Sequence, residues 1–504
     1  MRRLAATVVA LSLAATACTA TGGRSDGDGS SPSPEPDQPS QAPTPDDGDP
    51  AAPTIDWSEC GGGFECGRLT VPLDHDDPDG ETIELEVTRH RADEPDERIG
   101  ALVLNPGGPG GSATELARYF PRAGELGDRF DIVGFDPRGV GESEPILDCS
   151  SHLQAMYDAD PTIEDDGDRE AFLATSQDYV DECAASAGAA LDHLGTTDVA
   201  RDMDVLRQAL GDDQISYLGY SYGTSLGQEY ARQFPDRVRA MILDGVVDHE
   251  PDGVTTAATQ AEGFELALDN YVAHCDASGC GFGDVGAEDV IDEVIAAAEA
   301  EPIPAPDADR PATPGVVSLA MAQALYAEQL WSVLSAALRD AVDGDGSGLV
   351  DLADEYLSRE PDGTYPSSFA VYFGVSCLDE TWPTSTDEFF ADGKEAGATS
   401  PTFGEAIVND YLRCALWPVE PAPLAPVPAD TEGLPPILVV STTGDPATPY
   451  ENGVAVADQI PGAVLVTNEG EGHTVVGLGK PCIDDLAVAY LVDLEVPDDG
   501  TTCS

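Results

Sequence analysis

A serine set between glycines, Gly219-Tyr220-Ser221-Tyr222-Gly223, follows the apolar run 215–218 and precedes a helix-like stretch over 222–234 that ends at Phe234-Pro235-Asp236. Strand, tight turn and helix in that order make G-x-S-x-G a nucleophile elbow, whose sharp turn needs small flanking residues and leaves the hydroxyl exposed. A chance Gly-Ser-Gly turn is the alternative in a chain with 52 glycines, and the strand and helix on either side argue against it. Serine is a weak nucleophile until a neighbouring base takes its proton. His473 is the only histidine after position 274 and stands in the Gly-rich loop Glu469-Gly470-Glu471-Gly472-His473-Thr474, just past the strand-like run 463–467. The run 437–441 is followed by Thr442-Thr443-Gly444-Asp445-Pro446, which puts Asp445 at a strand tip. The order Ser221, Asp445, His473 is that of nucleophile, orienting acid and base, with Asp445 holding the His473 tautomer and stabilising its imidazolium.

Charge developing on an attacked carbonyl needs preorganised donors. One is the backbone N–H after the nucleophile, Tyr222; the other is expected from Pro106-Gly107-Gly108-Pro109-Gly110-Gly111, after the buried-type strand 101–105, with Gly108 as the favoured donor. Gly108-Pro109-Gly110-Gly111-Ser112-Ala113 also matches a dinucleotide fingerprint. Two prolines in the turn and an exported, cysteine-rich chain argue against that reading.

These residues need a scaffold. Residues 67–73 and 83–87 read as an opening pair of strands, and 101–105, 131–135, 215–219 and 238–244 as strands alternating with helices near 112–124, 198–210 and 222–234. Such alternation implies an α/β fold with a mostly parallel sheet. From about 250 to 425 the pattern turns helical, with long stretches at 258–274, 287–301 and 317–343, and sheet patterning returns at 437–441 and 463–467 before a last helix near 483–493. The expected organisation is a signal peptide over 1–17, a disordered acidic Ser/Pro-rich tether over 18–53, a sheet domain over 54–249 and 426–504, and a helical cap over 250–425 inserted into it.

The start Met1-Arg2-Arg3, a short apolar run and Ala15-Thr16-Ala17-Cys18 read as an export leader, too short to span a bilayer. Cys18 is placed as the acylated cysteine of a lipobox, with Leu13 two positions earlier than usual; a secreted protein cleaved near Ala17 is the alternative. Setting Cys18 aside leaves ten of the eleven cysteines, an even number in an exported chain. Sequence alone leaves the connectivity open; pairing neighbours gives Cys60–Cys66, Cys149–Cys183, Cys275–Cys280, Cys377–Cys414 and Cys482–Cys503. No C-x-x-C pair occurs and the seven histidines are scattered, so no metal is expected. The formal charge of −72 lies on the body, since residues 19–53 hold only seven of the 95 acids. Such a surface repels nucleic acid and anionic lipid headgroups and fits solubility at high salt or a generally acidic exported proteome.

Taken in order, 105–110, 136–141, 219–224 and Gly444-Asp445-Pro446-Ala447-Thr448-Pro449 resemble the secreted tripeptidyl aminopeptidases of actinobacteria, relatives of proline iminopeptidases in the α/β-hydrolase superfamily. The resemblance runs over roughly 54–504 and implies an α/β-hydrolase fold, a cofactor-free serine exopeptidase acting near free N-termini, and the triad and oxyanion loop named above. An exopeptidase must bind the substrate ammonium, and Asp379 and Glu380, in a cap segment that resembles the family's, are the candidates. The partners expected are peptides with a free N-terminus and, through Cys18, the membrane. A carboxylic-ester hydrolase with the same triad and a catalytically silent binding lipoprotein are the alternatives.

Overall fold

The computed structural model describes residues 53–120 and 124–504. Residues 1–52, which carry the expected leader, Cys18 and nearly all of the tether, lie outside the described residues. Ten strands form one sheet: β1 (Ser58–Glu59), β2 (Phe64–Pro72), β3 (Thr82–His90), β4 (Gly100–Asn105), β5 (Phe130–Phe135), β6 (Ile215–Tyr220), β7 (Val238–Asp244), β8 (Leu438–Gly444), β9 (Val464–Glu471) and β10 (Thr501–Cys503). Their order is β1-β2-β3-β5-β4-β6-β7-β8-β9-β10, antiparallel from β1 to β5 and parallel from β5 onward. The fold class expected from the alternation of strand and helix is the one observed.

β4, β5 and β6 are buried along their whole length, as strands covered on both faces must be. Alternate side chains divide between two cores. Val103, Tyr217, Met241 and Val439 pack with the helices Thr196–Leu210 and Tyr222–Gln233 on one face, and Leu102, Leu218, Ile242 and Val440 with the helix Pro481–Asp493 on the other. The helices from Gly253–Ser278 to Arg413–Leu416 fall between β7 and β8, and a separate core around Phe264, Tyr271, Leu334 and Leu338 unites several of them. The helices Leu153–Asp158 and Asp166–Ala187, between β5 and β6, add to this layer: Tyr179 meets Phe373 of the helix Ser368–Asp379 edge to face at 5.8 Å.

The stretch 317–343, which reads as one helix, is broken. Pro314–Leu325 and Trp331–Val342 are helical, but Ala327 is extended (φ −151°, ψ 128°). No proline or glycine marks the break; the Tyr326 carbonyl there accepts the His473 N–H at 2.9 Å. The helix expected over 112–124 spans Ala113–Tyr119. All five expected disulfides form.

The Asp136-Pro137-Arg138 motif secures the loop after β5. Asp136 accepts bonds from the Thr114 N–H, the Thr114 hydroxyl and the Ser112 hydroxyl at 2.9–3.1 Å. Arg138, fully buried, forks onto Asp202 at 2.6 and 2.8 Å and donates to the Pro72 carbonyl at 2.7 Å. Removing the cation would leave the carboxylate of Asp202, fully buried, with the His75 imidazole at 2.7 Å in place of the bidentate arginine. Arg138→Met is expected to lower unfolding stability by about 3–5 kcal/mol in a denaturant titration, far beyond a surface arginine change.

Candidate active site

Ser221 sits at the sharp turn between β6 and the helix Tyr222–Gln233 with φ 55° and ψ −125°, a conformation costly for any residue with a side chain. A Cβ on Gly219 would lie 2.3 Å from the Gly223 carbonyl, so the elbow closes only with glycine there. The strain is held from outside: Ser221 N–H donates to the Asp244 carbonyl at 2.9 Å, and the Thr224 hydroxyl donates to the Ser221 carbonyl at 2.6 Å.

Asp445 follows β8 and is buried. Its carboxylate accepts the N–H groups of Ala447 and Thr448 at 3.0 and 2.9 Å, the Thr448 hydroxyl at 3.1 Å, and faces Nδ1 of His473 at 2.8 Å. Four partners fix its orientation, and it fixes that of the imidazole. Burial disfavours the charged ring, but the charge and hydrogen bond of Asp445, with the charge of Asp244, outweigh it and hold the His473 pKa above the usual histidine value. Nε2 of His473 is buried and has no protein partner among the described residues. The structure thus joins Asp445 to His473 but forms no hydrogen bond from His473 to Ser221. Catalytic bonds of this kind are often long in free enzymes and tighten with substrate.

The Gly-rich loop after β4 is pressed onto the elbow. A Cβ on Gly107 (φ 92°) would lie 2.5 Å from the Tyr220 carbonyl and 2.8 Å from the Ser221 Cβ. Gly108 and Tyr222 line the cavity that Ser221 opens into, and neither N–H is spent on a protein acceptor among the described residues. The two donors expected from sequence are therefore free and adjacent to the serine.

That cavity also takes in Asp379, Glu380, Trp382, His249 and the Thr448-Pro449 turn. Asp379 and Glu380 differ. Asp379 accepts the Thr196 N–H at 3.1 Å, from the first turn of the helix Thr196–Leu210, and burial pushes its pKa up to about 7. Glu380 has no protein hydrogen bond among the described residues; burial, then the charges of Asp379, Asp252 and Asp248, push its pKa up to about 8. Burial also lowers the pKa of His249, to about 4, leaving that ring neutral.

Sequence reasoning passed over Asp244. Fully buried at the end of β7, it holds the Ser221 N–H with its carbonyl and, with Oδ2, the Val475 and Val476 N–H groups at 2.8 and 2.7 Å, just after His473. The signal was present, since Asp244 ends an apolar strand-like run just after the elbow segment, and Asp445 lies shortly past the next such run.

Residues 100–282 match the alpha/beta hydrolase fold family and 400–503 the TAP-like protein family. Serine protease Hip1 of Mycobacterium tuberculosis is 38% identical over 484 residues, 89% of this chain and 91% of that protein. Tripeptidyl aminopeptidase of Streptomyces lividans is 35% identical over 481 residues, 89% and 86% of the two chains. Carboxylesterase B of Mycobacterium tuberculosis is 36% identical over 461 residues, 87% and 86%. Sheet, elbow and Asp–His pair, with these relatives, define a serine hydrolase of the α/β-hydrolase fold. Within that fold the chain belongs to the tripeptidyl aminopeptidase family.

Asp244→Asn removes a negative charge that favours protonated His473 and weakens its hold on the loop after it. The expected outcome is a lower kcat with little change in KM, and an acid limb of the kcat/KM profile moved to lower pH. An unmoved limb contradicts the electrostatic part of this account.

Proposed function

We propose that the protein is an exported serine exopeptidase that removes short peptides, tripeptides or related units, from free N-termini. The observation that carries this reading is Glu380: a carboxyl in the Ser221 cavity with no protein hydrogen bond among the described residues, and whose strongest charged neighbours are all acids. An arriving ammonium relieves that repulsion and supplies the missing donors. Asp379, tied to the Thr196 N–H, supports the site and deepens its negative potential. The relatives named serine protease and tripeptidyl aminopeptidase support the same reading. Five disulfides and the leader sequence support export, and Ala17-Cys18 supports a lipid-anchored protein at the outer face of the membrane.

In the proposed cycle His473 Nε2 takes the Ser221 proton as Oγ attacks the scissile carbonyl. The N–H groups of Tyr222 and Gly108 receive the oxyanion, and Asp445 stabilises the imidazolium. His473 then protonates the leaving amine. A water, deprotonated in the same way, hydrolyses the acyl-Ser221 ester and frees the peptide. A carboxylic-ester hydrolase is the second reading, favoured by the relative named carboxylesterase B.

The deciding assay is hydrolysis of Ala-Ala-Pro-p-nitroanilide with free and acetylated N-termini, beside p-nitrophenyl esters. The free peptide is expected to be cleaved, the blocked one at least tenfold more slowly, and Ser221→Ala to lose about 10⁴-fold or more in kcat. Equal cleavage of both peptides, or ester turnover alone, overturns the exopeptidase reading. Glu380→Gln should raise KM for the free peptide about 10- to 100-fold and leave the blocked one unaffected. Glu380 ionises more fully as pH rises toward 8, while the substrate ammonium, with an ordinary pKa of about 8, loses its proton above that. KM should therefore pass through a minimum near pH 8, and the minimum should flatten in Glu380→Gln.

A further inference from the structure

Beside the Ser221 cavity lies a second one, lined by residues of the helical layer. Gln260, Tyr372 and Tyr411 line both cavities and form their common boundary. The hydroxyls of Tyr372 and Tyr411 hydrogen-bond each other, and Tyr411 stacks on Trp382 at 4.6 Å, on the Ser221 side. Beyond this boundary the walls turn apolar and aromatic: Phe172, Phe264, Leu319, Tyr356 and Phe403 come from five different segments of the chain. An ion pair in its lining is spent internally. Arg413, fully buried, bonds to Asp410 and lies over the rings of Phe172 and Phe373 at 5.5 and 5.1 Å. The chamber is thus lined by hydrocarbon next to a site rich in carboxyl groups.

We infer that this chamber is a specificity subsite that takes a large apolar or aromatic side chain from the acyl, N-terminal part of the substrate, entering past Gln260, Tyr372 and Tyr411. The inference rests on the exopeptidase reading and deepens it. The acyl segment is held between Glu380 and Ser221, in the cavity that shares Gln260, Tyr372 and Tyr411 with the chamber, so a side chain of that segment is the part of the substrate that lies beside it. The split between the cavities matches the split within the acyl segment: its charged end is met by Glu380, and a side chain without charge by the aromatic walls. Transfer of that side chain from water onto hydrocarbon drives the selection.

The test compares Ala-Ala-Pro-p-nitroanilide with peptides in which each alanine in turn is replaced by phenylalanine, on the wild type and on two chamber-filling variants, Ala322→Phe and Ser318→Phe, one turn apart on the helix Pro314–Leu325. The wild type is expected to favour phenylalanine at one of the two positions by about 10- to 100-fold in kcat/KM, and the ratio to fall toward one in both variants. Fluorophosphonate labelling of Ser221 reports that each variant is folded. No preference in the wild type, or a preference undiminished in both labelled variants, overturns the inference. The same proteins are assayed on p-nitrophenyl 4-phenylbutyrate and acetate, which keeps the two readings apart. An aryl preference there that collapses on filling, with no free-amine peptide cleaved, supports the chamber and overturns the exopeptidase reading. An aryl preference that survives filling overturns the chamber.

Discussion

The site depends on one residue at the end of one strand. Asp244 gives its carbonyl to the strained serine and its carboxylate to the loop that carries the histidine, two segments about 250 positions apart in the chain. A serine at φ 55° is stable only where its surroundings over-determine it. The hydrogen bond from its N–H, the pressed Gly107 turn and the helix that begins at Tyr222 supply that constraint together. Asp244 does this with its own carboxyl pKa pushed up to about 6 by burial, with the Val475 and Val476 N–H groups opposing the shift.

The surroundings of Ser221 hold carboxyl groups in three different states. Asp445 is satisfied by four donors and acts on the imidazole. Asp379 is tied to a helix end. Glu380 is left without a protein donor among the described residues, and its pKa follows from that. In a chain of such extreme negative charge, an acid's environment rather than its presence sets it apart, which is why composition could nominate Asp379 and Glu380 together but not separate them.

What the sequence made legible was what chemistry forces into local patterns. An elbow needs a strand, a tight Gly-rich turn and a helix within about a dozen residues, and a base needs a histidine, of which the last third of the chain holds one. The parallel sheet was equally plain, because strands buried on both faces become continuous apolar runs. The helix Asp166–Ala187 was not read, although its buried residues Phe172, Ser176, Tyr179, Val180, Cys183 and Ala187 keep a helical spacing; serine and cysteine in that stripe and acids around it blur the hydrophobic signal. The break at Ala327 leaves no mark, since no proline or glycine stands there and the N–H that meets the Tyr326 carbonyl comes from a distant part of the chain. The aromatic chamber was invisible for the same reason, its walls being gathered from segments as far apart as Phe172 and Tyr411.

The bond from the His473 N–H to the Tyr326 carbonyl has a mechanical meaning. The cap does not merely roof the site; it grips the base, with the Tyr326 ring edge-on to the imidazole at 5.5 Å. A cap that swung away as a hinged cover would carry that grip with it and loosen the histidine. The position of the cap and the aim of the base are therefore set together, so that a change in how the cap helices pack is felt at the imidazole.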